Sequence, residues 1–227
     1  TFTWAHLIPN MFSPCGTMQA AGASYAWARN ELAPLEVQLS KEKNISVYEL
    51  MNQAAEASPV GAKGLLYLPY LLGERSPRWN TKARGAFIGL DIRHSRADML
   101  RAVLEGITLN LRVILDAFTA QGATIDAMRV IGGGAKGKLW NQIMADIYGV
   151  SVKRLKVLEE ATSLGAAVAG GVGVGVYKDF SMVEHMNPVV STVEPNPASQ
   201  DIYNKLIKVF NSAYDALVPV YDQLAAL

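Results

Sequence analysis

The stretch Val130–Asp146, "VIGGGAKGKLWNQIMAD", decides the reading of the chain. A short apolar run precedes the glycines and a helical pattern follows them, so the glycines occupy a strand-to-helix turn. Gly132-x-Gly134-x-x-Gly137 satisfies the dinucleotide fingerprint, and Gly132, Gly137 and Lys138 satisfy most of a P-loop. The P-loop fails at Leu139, which lacks the hydroxyl that holds Mg²⁺. The dinucleotide reading needs an acidic residue at the end of the next strand. Glu159 and Glu160 stand in that region, but they fall in the loop after it. A third reading is a turn without Cβ atoms on which an adenine lies flat, and a fourth is a plain tight turn. Consecutive glycines in an ordered element cost about 1 kcal/mol each, which a plain turn seldom requires. A glycine turn ahead of a helix favours an anionic ligand in every binding reading.

Outward from the turn, strands and helices alternate. "MRVIGG" reads as a strand, Leu139–Tyr148 as a helix, "VSVKRL" as a strand and Ser163–Tyr177 as a helix. The uncharged run Ala161–Tyr177 is Gly-rich and short for a membrane span, so it is expected to be a buried helix whose small residues pack closely on the sheet. Upstream, Thr1–Ser13 reads as a strand or hairpin and Ala20–Leu32 as a helix. Ser46 with Glu49 predicts a capping box on a second helix. Two short strands, near Leu65–Leu68 and Ala86–Leu90, flank a polar connection. A long helix follows over Arg96–Gln121, capped by Ser95 with Asp98 and closed by Gly122. Pro188, Pro195 and Pro197 predict a loop before a last helix over Gln200–Leu224. The alternation implies an α/β layered fold with a largely parallel or mixed sheet.

Composition agrees with a folded domain. The chain has 227 residues, half of them apolar and 18% charged, with net charge +1. Neither nucleic acid nor an anionic membrane is expected as the main partner. One cysteine, Cys15, fits a reducing cytoplasm, and the three histidines have no metal-ligand spacing. The chain opens without Met or a signal peptide, directly in strand-like sequence, which suggests a piece of a longer protein.

Several blocks resemble the FGGY carbohydrate kinases, which phosphorylate sugars and polyols with MgATP. They are "LPYLLGERSPRWNTKARGAFIGL" (Leu68–Leu90), "GAFIGLDIRHSRADMLRAVLE" (Gly85–Glu105), and "GGGAKGKLWNQIMADIYGVSV" followed by "EEATSLGAAVAGG". "AGASYAWARNEL" is a weaker match. They occur in the family's order over nearly the whole chain. "GERSPRWN" and the long helix are most similar to xylulokinases and gluconokinases.

The resemblance implies an actin-like ATPase (ribonuclease H-like) domain, with a mixed sheet flanked by helices. Residues 1–227 would form the C-terminal, nucleotide-binding domain, and the N-terminal sugar-binding domain would lie outside this chain. ATP and Mg²⁺ are the implied cofactors, and the sugar substrate, D-xylulose first and gluconate or another polyol second, would bind mainly to that other domain. The nucleotide-binding candidates are Gly22, Ala26, Gly133, Gly134, Ala135 and Lys138, with Gly134 and Ala135 closest to the adenine. At the position of Ala26 some relatives place a polar contact, which alanine cannot supply. Glu74, Arg75 and Trp79 are candidates for the cleft between domains, against structural readings as an ion pair and a packing residue. No residue matches the family's catalytic Asp, so no catalytic residue is assigned. Arg101 and Glu105, at i and i+4, read as a helix pair of a few tenths of a kcal/mol. Asp146 sits at a helix end unfavourable to its charge, so it requires a hydrogen-bond partner. An exposed apolar cleft wall would allow the chain to form a homodimer. A nucleotide-binding assembly module without chemistry is the alternative from another class.

Overall fold

A computed structural model describes all 227 residues, Thr1–Leu227. The elements in chain order are β1 (Phe2–Ala5), β2 (Phe12–Cys15), α1 (Ala21–Leu32), α2 (Pro34–Lys43), α3 (Val47–Glu56), β3 (Leu66–Leu68), β4 (Ala86–Ile88), α4 (Arg96–Thr119), β5 (Ala127–Val130), α5 (Lys138–Tyr148), β6 (Ser151–Leu155), α6 (Ala161–Gly173), α7 (Met182–Met186), β7 (Val189–Val193) and α8 (Pro197–Leu224). Short 3₁₀ turns occupy Ala62–Gly64 and Gly133–Lys136.

The long helix α4 is the axis of the molecule. Leu100, Ala102, Val103, Leu104, Ile107 and Leu109 are all buried, so its middle turns are enclosed on every side rather than along one stripe. α1, α3, α5 and β3 pack around it. Gly106 permits the closest of these approaches, because a methyl group there would collide with the Tyr67 carbonyl oxygen on β3. At the start of α4, Asp98 accepts the Ser95 N–H at 2.7 Å, as the capping pattern requires. Ser46 precedes α3 as expected, but its side chain makes no cap hydrogen bond and the box with Glu49 does not form.

The strands form three separate sheets. β1 and β2 pair antiparallel as a hairpin, and β3 pairs antiparallel with β4. β5 and β6 are parallel, joined by α5, and β7 adds antiparallel to β6. β7 lies where prolines predicted only loop. Its run "VVSTV" is β-branched, and the flanking Pro188 and Pro195 bound the strand rather than break it. α2 gave no sequence signal because its residues lack an apolar stripe; Pro34 opens it at a position where a missing N–H is harmless. α8 starts earlier than its apolar periodicity suggests, because Asn196 caps it by accepting the Ala198 N–H.

The expectation for the apolar run after β6 fails as well. α6 is not a buried helix: it stops at Gly173, and Val168 is its sole buried residue. Small side chains suit close packing, yet nothing in this chain covers the outer face of α6. Tyr177 instead folds back on the helix, in contact range of the space above Gly171.

Candidate nucleotide cleft

A cleft of about 840 Å³ opens between α1, α3 and the glycine turn. Gly22 lies on the α1 side, and Gly133 and Gly134 lie on the turn. The turn itself depends on Gly132, whose φ of +80° and ψ of −175° belong to a region that essentially only glycine adopts. Its N–H donates to the Leu158 carbonyl at 2.8 Å, which holds the turn against the loop after β6. A Cβ on Gly22 or on Gly133 would meet nothing within 4 Å, so two surfaces without side chains face open space in the same cleft. Gly134 is different. A Cβ there would point at the Trp140 ring, 3.0 Å from Cζ3, and not into open space.

The aromatic part of the wall is rigid. Tyr25 packs against Tyr48 and Trp140, with ring centroids 5.5 and 5.7 Å apart. The Trp140 indole N–H donates to Thr108 Oγ1 of α4 at 3.0 Å, which pins the ring. α5 begins beside the cleft with no capping side chain and no acidic residue in its first turn. Its first N–H groups therefore have no side-chain cap, and Lys136 and Lys138 line the cleft together with Glu49, Glu56 and Glu159. Lys136 reaches across the rim to Glu159 at 2.8 Å, an ion pair between exposed groups.

The remaining predicted site residues distribute as follows. Ala135 is 1% exposed, and its carbonyl oxygen accepts from Asn141 Nδ2 at 2.9 Å. The structure thus removes Ala135 from direct approach, because the 3₁₀ turn tucks its side chain beneath the surface. Ala26 is half-buried on α1 and does not line the cleft. Glu74, Arg75 and Trp79 do not line it either. Glu74 is buried and accepts from the backbone of Gln19 and Arg75 and from Asn110 Nδ2 at 3.2, 2.6 and 2.7 Å. Burial pushes its carboxyl up from the ordinary range, against those hydrogen bonds. Glu74 ties the segment before α1 to α4 and forms no ion pair with the Arg75 guanidinium, which instead lies over Phe2 at 5.8 Å. Trp79 is 56% exposed and flanks the same Phe2 ring. Sequence reading passed over Arg78, whose guanidinium sits 3.8 Å from the Tyr214 ring centre and donates to Asn211. Nothing local signals that contact, since α8 lies more than 100 residues on.

Residues 3–174 match the FGGY family of carbohydrate kinases, C-terminal domain. The chain belongs to this family. It is 38% identical over 210 residues to a xylulose kinase of Staphylococcus epidermidis, covering 92% of this chain and 40% of that protein. The crystal structure of a xylulose kinase from Rhodospirillum rubrum superposes with a TM-score of 0.84 at 29% identity, over 97% of this chain and 43% of the other. A Plasmodium falciparum glycerol kinase solved with ADP has a TM-score of 0.71 at 25% identity, over 89% of this chain and 38% of the other. The fold of this FGGY domain is therefore the actin-like ATPase fold that the sequence resemblance implies. The chain spans about two fifths of the length of these relatives. No helix of the FGGY domain is long and apolar enough to cross a membrane.

Proposed function

We propose that this FGGY domain is the nucleotide-binding part of an ATP-dependent sugar kinase, and that the intact protein transfers the ATP γ-phosphoryl group to a hydroxyl of D-xylulose in the cytoplasm. One observation carries the nucleotide assignment: Gly22 and Gly133 leave open backbone surfaces in one cleft, beside an uncapped helix start. A flat purine can rest on a surface that lacks Cβ atoms, and the ribose-phosphate chain is drawn to the free N–H groups of a helix start. The ADP found with the Plasmodium relative and the xylulose named for the Staphylococcus relative support the choice of nucleotide and sugar.

In this reading the chain binds and orients MgATP, with Gly133 and Gly22 as its backbone seats, Gly134 beside them against Trp140, and Lys138 at the α5 end. No three His, Cys, Asp or Glu side chains converge on a cation site, so Mg²⁺ would arrive held chiefly by the ATP phosphates. The proton acceptor for the sugar hydroxyl would come from opening strands of this domain that precede these residues, and most sugar contacts from the N-terminal sugar-binding domain. Closure of that domain would exclude water and limit ATP hydrolysis.

The test is calorimetric titration with ADP and with NAD. The expected result is ADP binding without NAD binding. Gly133→Val should abolish ADP binding at unchanged thermal stability, since its side chain enters open space. NAD binding, or unchanged ADP affinity in the variant, would refute the cleft assignment. The 227-residue chain alone should phosphorylate no sugar.

A further inference from the structure

Gly137 has no conformational need to be glycine. Its φ of −77° and ψ of 116° are open to any residue. The contact is steric: a Cβ at Gly137 would lie 2.8 Å from Asn52 Nδ2, so the end of that amide would have to shift. The third glycine of the apparent G-x-G-x-x-G pattern therefore faces a side chain of α3. The opposite end of the Asn52 amide is also held. Tyr25 OH donates to Asn52 Oδ1 at 2.7 Å. Burial, then the neighbouring Tyr48 and Glu36, hold the Tyr25 pKa above its usual range, so it remains a hydroxyl and a donor. With Oδ1 engaged, the amide is oriented with Nδ2 against the glycine turn. Asn52 lines the cleft, and its only side-chain hydrogen bond is the one from Tyr25. An amide NH₂ that donates to no protein group seeks an acceptor from whatever fills the cleft.

We propose that Asn52 reads the base: its Nδ2 donates a hydrogen bond to one ring nitrogen of a purine seated on the glycine turn, and Tyr25 is the positioning residue that fixes the amide. The assignment rests on the nucleotide reading above and adds to it a side-chain contact, supplied from α3. Adenine ring nitrogens outside the glycosidic bond only accept, so a fixed donor matches them.

The decisive experiment titrates the chain with ADP and with its 1-deaza, 3-deaza and 7-deaza analogues, each with one ring nitrogen replaced by C–H. One of the three should bind about tenfold more weakly than ADP, the scale of a single lost hydrogen bond. Asn52→Ala should weaken ADP by a similar factor and bind that analogue and ADP alike. Tyr25→Phe should give a smaller loss, and Gly137→Ala should displace the amide and imitate Asn52→Ala. If the unmodified chain binds ADP and all three analogues equally, the base-reading role is overturned without recourse to any variant, while the nucleotide cleft stands. Full ADP affinity in Asn52→Ala has the same meaning. A chain that binds no nucleotide at all removes both proposals.

Discussion

Glu105 and Arg101 illustrate how burial changes the meaning of a residue pair. At i and i+4 they look like a surface helix pair, worth a few tenths of a kcal/mol. In the fold both are buried, and Glu105 Oε1 accepts from Arg101 Nε, Tyr203 OH and Gly61 N–H at 2.7, 2.7 and 3.0 Å. Arg101 also donates to the Ser58 carbonyl at 2.9 Å. The cluster joins α4, the turn after α3, and α8. Glu105→Gln leaves a buried guanidinium without its counter-charge and should lower the unfolding free energy by about 3 kcal/mol. Tyr203→Phe removes two hydrogen bonds, the one given to Glu105 Oε1 and the one accepted from Arg101 Nη2 at 3.3 Å, and should cost about 2 kcal/mol. Urea unfolding measures both; a loss of a few tenths for Glu105→Gln would mean that the pair is solvated after all. Asp146 behaves as its position near the end of α5 predicts, accepting from Gln142 and the Asn196 N–H at 2.7 and 2.8 Å. The sequence indicated that a partner was needed; Gln142 stands at helical spacing four residues earlier, whereas the Asn196 backbone lies 50 residues on and could not be named from spacing.

At the scale of the element, the start of α4 carries a pH dependence. Asp98 is buried, which disfavours its charge. The Ser58 hydroxyl, the Ser95 N–H and Lys63 donate to it at 2.6, 2.7 and 2.9 Å, and together they hold its carboxyl well below the usual carboxylate range. Because the folded pKa is below the unfolded one, the stabilisation is present above about pH 4 and is lost as pH falls towards the folded value. The stability difference between the parent chain and Asp98→Asn should therefore be constant near neutrality and shrink as the medium is acidified below about pH 4. A difference independent of pH, followed by thermal unfolding, would mean that the ionised form contributes nothing. The capping pattern of α4 was legible because it is local in sequence. The similar Ser46–Glu49 pattern did not form; both residues line the cleft instead. α2 was invisible for the opposite reason: its helix is held without an apolar stripe that a period could reveal.

Across the whole molecule, apolar surface is unevenly covered. The core around α4 is closed, whereas Trp4 and Phe12 on the hairpin and Val174 and Val176 after α6 are mostly exposed. β5 pairs on one edge only, and the β1–β2 ribbon joins no other sheet. Unpaired edges and large apolar patches favour association. The chain is expected to self-associate: its weight-average mass in sedimentation velocity should rise with concentration. Replacing Val174 and Val176 together by Lys should suppress that rise if the α6 end is the contact; no change with concentration in the parent chain would contradict the expectation.

Local pattern alone determined the glycine turn between β5 and α5, the capped length of α4 and the alternation that identifies an α/β fold, because turns, caps and periods are properties of neighbouring residues. Only the tertiary structure decided which glycine faces the cleft. Gly133 looks into open space, Gly134 meets Trp140 and Gly137 yields to Asn52, differences that depend on what α1, α3 and α4 bring alongside the turn. The exposure of α6 was likewise beyond local reading, since an apolar helix is buried only if some other part of a fold exists to cover it.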